Sequence, residues 1–153
     1  MEIRVIDFED LTKNFQPYVD GYKNIESKKR EMLSSIESDR KEMENILKRS
    51  QSGLIVDEMT QRQEVERFKK LQEKLMKLDV DFKNQLKSMT DDLNDNVYEQ
   101  LSSIITKWSK ENSIDLVIGK MEVVFNTSNI EITDDIIDII KQKNLYYTEK
   151  EED

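Results

Sequence analysis

The chain has 153 residues, 37% of them charged, and a formal net charge of −9 at pH 7. It has no Cys and no His, which excludes disulfides, thiolate or imidazole metal sites, and the triads and proton shuttles built on histidine. Three Gly and one Pro supply too little turn material for a many-stranded sandwich, so the composition is that of one elongated helical domain.

In chain order, Ile3 and Val5 alternate with Arg4 and run into Ile6 and Phe8. This predicts a strand over Glu2–Phe8 with one well-buried face. Leu11 and Phe15 allow one helical turn, which Pro17 ends or hands on to the next element. From about Tyr18 a helical pattern sets in with Tyr22, Ile25, Met32, Ile36, Met43, Ile46 and Leu47. Lys29 and Asp39 fill its remaining seam positions, completing a repeat of about 3.5 residues that runs to about Arg49. Ser50-Gln51-Ser52-Gly53 is the polar break that follows, and Gly53 suits a left-handed backbone position at a hairpin tip. Leu54-Ile55-Val56 lies just beyond, either as a staple closing the hairpin or as an exposed apolar tip that touches a partner.

No glycine or proline occurs between Gly53 and Gly119. Within that stretch Phe68, Leu71, Leu75, Leu78, Phe82, Leu86, Met89, Leu93, Val97, Leu101, Ile104 and Trp108 keep spacings of three and four. They form one stripe of a single helix from about Asp57 to Lys110, roughly 80 Å long at about 1.5 Å per residue. The period is about 3.5 as far as Phe82 and about 3.7 beyond it, so the helix leaves a two-stranded seam for a different environment. A helix that long needs a partner along its stripe.

After Trp108 the pattern changes. Ile114–Ile118 and Val123–Phe125 read as strands separated by Gly119-Lys120. Thr133 is placed to cap a short helix whose first turn holds Asp134 and Asp135, with Ile136, Ile137, Ile139 and Ile140 as its apolar face. Leu145, Tyr146 and Tyr147 are expected to fold back, and Thr148–Asp153 is a loose acidic tail. The fold class is mostly α with a small β body: a long antiparallel helical hairpin, a coiled-coil arm, projecting from a small α+β, β-rich oligomerisation body. Residues 1–20 and 109–147 make the body and 21–108 the arm, with its tip near 50–56. So thin a body buries little core alone, so association through Ile3, Val5, Val117, Val123 and Phe125 is expected.

The chemistry expected is binding without catalysis. The glycines at 21, 53 and 119 are too far apart for a phosphate-cradling loop, and the 33 carboxylates are too common for any pair to stand out. The protein is therefore expected not to be an enzyme, and to have no cofactor and no metal. No apolar run reaches the length of a membrane span, and Met1-Glu2-Ile3-Arg4 does not open a signal peptide. The ends are acidic and the middle is mildly basic, which argues against nucleic acid as a partner. The densest basic clusters are Lys28, Lys29, Arg30 and Lys48, Arg49; such runs are commonly solvated helix faces. Their functional alternative is weak, multivalent contact with acidic stretches of a client, with Leu54, Ile55, Val56 and Met59 as apolar contacts near the tip.

The order of strand, long hairpin, Ile114-Asp115-Leu116-Val117-Ile118, Val123-Val124-Phe125-Asn126 and Ile132-Thr133-Asp134-Asp135-Ile136-Ile137 resembles the Skp/OmpH family of periplasmic chaperones. The resemblance implies a homotrimer whose β-rich body is built from all three chains, with three helical arms around a cavity. It also implies an ATP-independent holdase for unfolded outer-membrane β-barrel proteins in the periplasm, with contact to a membrane surface. The alternatives are a structural coiled-coil assembly protein, and a prefoldin-like cytosolic chaperone. The last places its strands between its helices, whereas here strand signals flank the hairpin.

Overall fold

The computed structural model describes residues 1–53 and 57–149. The elements are β1 (Ile3–Ile6), α1 (Phe8–Lys13), α2 (Gln16–Gln51), α3 (Glu58–Glu111), β2 (Leu116–Gly119), two single 3₁₀ turns at Lys120–Glu122 and Ser128–Ile130, and α4 (Thr133–Gln142). Two compact units emerge: a central one, Asn24–Met89, and a terminal one formed by Met1–Lys23 with the chain from Thr90 onward.

In the central unit the two helices run antiparallel. Their cross-helix ion pairs show the direction: Arg49 meets Glu64, Arg67 meets Glu42, and Lys74 meets Asp39, so each step back along α2 is a step forward along α3. The α3 stripe is as expected. From Phe68 to Met89 its residues are half-buried and every residue between them is exposed. On α2 Met32 and Ile46 are buried, while Ile25, Ile36 and Met43 are half-buried. Lys29, expected at the seam, is exposed instead, because its long stem lets the ammonium stay in water. Asp39 does occupy the seam and is matched by Lys74 at 3.0 Å. Gly53 takes the left-handed conformation expected of it, at φ +68°.

The terminal unit has a true core. Leu11 and Phe15 from the first segment, Leu101 from α3, and Ile136 and Ile140 from α4 are all fully buried in it. Side chains of this size contribute about 1.5–3 kcal/mol each when removed from water. Ile136 and Ile140, four apart, put one face of α4 on the core, and Asp134 and Asp135 hold the positive end of its dipole. Gly21 on α2 packs against Leu93; a Cβ there would overlap Leu93 Cδ1. The chain end folds back as expected, with Leu145 O accepting from Gln16 N at 2.7 Å and Asn14 O from Tyr147 N at 2.8 Å.

Several local expectations are corrected. The first strand stops at Ile6, because Asp7 accepts from Asp10 N at 3.0 Å and so caps α1 from Phe8. Of the two readings of Pro17 the second holds: it starts the next element, in the first turn of α2, where a missing N–H costs nothing. Thr133 is the first residue of α4 rather than its cap, and its hydroxyl accepts from Asp7 N at 2.9 Å. The second strand begins at Leu116, since α3 ends in a left-handed turn at Ser113 (φ 56°) and Ile114 N closes back on Ser109 O at 2.9 Å. Among the described residues two strands form instead of three. They are parallel, Ile3 beside Leu116 through Ile6 beside Gly119. Val123 keeps an extended backbone (φ −111°, ψ 122°), but among the described residues it meets no strand to pair with.

Candidate functional site

Two surfaces gather the residues singled out above. The first belongs to the central unit. Lys28 pairs with Glu31 at 3.6 Å, while Lys29, Arg30 and Lys48 form no ion pair among the described residues. Arg49 is differently placed: its guanidinium grips both oxygens of Glu64, at 3.0 and 3.1 Å, with Glu42 at 3.9 Å. Both contacts come from the one nitrogen Nη2, and as charge-assisted hydrogen bonds from α2 to α3 they brace the two helices. Met59 is well exposed. Leu54, Ile55 and Val56 lie outside the described residues.

Asp57 marks the start of α3. It accepts from the Thr60 hydroxyl at 2.9 Å and from Met59 N at 3.2 Å. The Thr60 hydrogen bond, then that of the Met59 amide, holds its carboxyl below the ordinary value of 3.8.

The second surface belongs to the terminal unit. β1 is bonded on both edges, to β2 on one side and through Val5 O to Ile132 N (2.9 Å) on the other. The far edge of β2 has no strand partner among the described residues. An open groove runs beside that edge, walled by Tyr98, Ile105 and Ser109 of α3 and by Leu116 and Val117 of β2. Immediately after it come Met121, Val124 and Phe125, exposed by 86%, 105% and 81%. This run is not a loose end. Lys120 Nζ binds Glu131 Oε1 at 2.6 Å, and Glu131 is bridged to Val5, so both ends of the loop are fixed to the sheet. The hydrogen bond to Glu131, helped by the charges of Glu131, Asp7 and Asp10, raises the Lys120 pKa above its ordinary 10.5.

Of the five apolar residues expected to meet other chains, Phe125 is exposed, Ile3 partly so, and Val117 and Val123 are half-buried. Val5 is already covered by its own chain, at 2% exposure. Leu116, Met121 and Val124 join Phe125 as exposed apolar residues of the same segment. The signal for Val124 was present: in a surface segment with alternating burial, Val124 and Val123 cannot both face inward.

A long helical pair joined to a small unit in which both chain ends supply strands is the class these elements define. The sequence matches the model of the family described as "Outer membrane protein (OmpH-like)" over residues 2–140, and the chain belongs to that family. Its fold is also that of a candidate outer membrane chaperone (OmpH-like) from Caulobacter crescentus, known from a crystal structure, with a TM-score of 0.81 at 9% identity. That likeness covers 95% of this chain and 87% of the other. Comparison with curated proteins gives no match.

Proposed function

We propose that this protein is an ATP-independent holdase chaperone, which keeps unfolded outer-membrane β-barrel proteins soluble in the periplasm and works as a homotrimer. Its membership of the OmpH-like family over residues 2–140 is the observation that carries the reading. The fold shared with a candidate outer membrane chaperone supports it. Neither chemistry nor a bound nucleotide enters, since holding a client needs only surface.

Assembly falls to the terminal unit. Met121, Val124 and Phe125 are too apolar to leave in water on a fixed loop, and large exposed apolar groups beside a vacant strand edge mark an interface. Val123–Phe125 of one copy supplies the strand that β2 of the next lacks, with Ile3, Leu116 and Val117 alongside. The helical hairpins of the three copies then enclose the client. Lys28, Lys29, Arg30 and Lys48 meet it by weak, salt-screened contacts, with Met59 and Leu54, Ile55 and Val56 as apolar ones. Among the described residues no helix is long and apolar enough to cross a membrane.

The test is dilution of a urea-unfolded β-barrel porin into buffer with and without the purified protein, followed by light scattering. The holdase reading expects scattering to stay low at equimolar trimer without added nucleotide. Aggregation at the same rate with and without the protein would leave a structural coiled-coil role in its place.

A further inference from the structure

A shallow trough lies on the central unit where α2 and α3 come together, with Ile46 and Leu47 on one wall and Val65 and Phe68 on the other. Its volume is about 260 Å³, below the roughly 300–1,000 Å³ of small-molecule pockets, which suits one or two side chains rather than a whole ligand. Leu47 and Val65 are 47% and 48% exposed, so the apolar floor is open to water.

Two charged residues line the trough, Glu64 and Lys69, and Glu73 stands one turn beyond Lys69 on α3. Glu64 lines it, but Arg49 holds both Glu64 oxygens, which cancels that charge. On the neighbouring turns Glu58 pairs with Arg62 at 3.5 Å and Glu66 with Lys70 at 4.0 Å. Lys69 remains: it lines the trough and has no ion-pair partner among the described residues. Gln61, Val65 and Lys69, at intervals of four, stand in one row along α3. Apolar contact and a positive charge are therefore presented about one helical turn apart.

We propose that this trough is a subsite for an extended segment of an unfolded chain, taking an apolar side chain that has a carboxylate near it in sequence. The side chain fills the gap between Leu47 and Val65, and the carboxylate meets Lys69. The proposal rests on the holdase reading and narrows it, because it states which stretches of a client are gripped here. Apolar–acidic segments bind, apolar–basic ones are turned away, and acidic segments without an apolar residue gain too little contact.

Three fluorescein-labelled peptides test it by anisotropy against the full-length protein: alternating Phe and Glu, Phe and Lys, and Ser and Glu. The Phe–Glu peptide should bind best. Lys69→Glu should shift the preference between the two Phe peptides by roughly fivefold or more, as expected for reversal of one partly exposed charge. Leu47→Asn should weaken both Phe peptides and leave the order intact. Far-UV circular dichroism confirms that these surface variants stay helical. An unchanged preference in Lys69→Glu, or unchanged affinity in Leu47→Asn, overturns the subsite, as does a change in sedimenting mass, which would make the trough a contact between copies. If the wild-type protein holds porin but does not discriminate between the Phe peptides, the subsite fails and the holdase reading survives. If it holds no porin at all, the broader reading fails first.

Discussion

The central and terminal units use the same residue types to different ends. In the central unit only Met32 and Ile46 are buried among the described residues, and the α3 stripe from Phe68 to Met89 is half in water. Two helices can cover one seam and no more, so few side chains are surrounded, and ion pairs such as Lys74–Asp39 fix the register. In the terminal unit, segments from both ends of the chain close over Leu11, Phe15, Leu101, Ile136 and Ile140, all at 0% exposure. A whole cluster of fully buried side chains forms where a third and fourth element arrive. That unit nonetheless leaves Met121, Val124 and Phe125 bare, while the central unit leaves none of its long seam residues so exposed. The contrast separates a region whose apolar side chains lie along one half-wet seam from one that seals a core and yet leaves an apolar run bare.

The sharpest way to break this comparison is to remove a side chain from the core. Ile136→Ala empties a site sealed on all sides, and should cost about 2–5 kcal/mol. Trp108 packs against the same core, so its fluorescence in a urea titration reads the loss directly. A cost below about 1 kcal/mol would mean that the terminal unit can collapse into the gap, as loosely packed sites do.

Phe82→Ala is the matching change in the central seam. Full burial of a Phe is worth about 3–5 kcal/mol on truncation, but Phe82 is only half-buried, so about 1–2 kcal/mol is expected. Helix content by circular dichroism should melt earlier while the Trp108 signal keeps its midpoint. Both signals moving together by the same amount would show one cooperative structure and erase the distinction between the units.

Asp57 gives the smallest effect. Its carboxyl is held below 3.8 in the folded protein, chiefly by the Thr60 hydroxyl. A depressed folded value means that the stabilisation is present above 3.8 and is lost as pH falls through the folded value. Asp57→Asn should therefore lower the helix melting temperature slightly at neutral pH, and the difference from wild type should disappear in acid below that value. A difference of equal size at both pH values would assign the effect to packing and not to charge.

Regular spacing made the long helices legible. Every residue of the stripe from Phe68 to Trp108 is buried or half-buried, because a period of three and four repeated over many turns admits one solution. Features that depend on partners distant in sequence were not. Thr133 has the composition of a cap, yet the Asp7 amide, brought in by the fold, claims its hydroxyl. Ser113 and Asn144 end their helices in left-handed turns at φ 56° and 57°, where a glycine would have announced the stop. Val123–Phe125 reads as a strand because its residues favour one, and a strand also requires a neighbour. The basic clusters were visible as sequence, but Arg49 could not be separated from Lys48 until Glu64 appeared opposite it. The trough between Leu47 and Val65 was hidden for the same reason.

Assembly through the bare run after β2 is the claim on which the account turns, and sedimentation velocity tests it most directly. Wild-type protein at micromolar concentration should sediment as a trimer. The combined variant Met121→Ser, Val124→Ser, Phe125→Ser should sediment as a monomer with its helix content kept. A wild-type monomer under those conditions, or a variant that still sediments as a trimer, would contradict it.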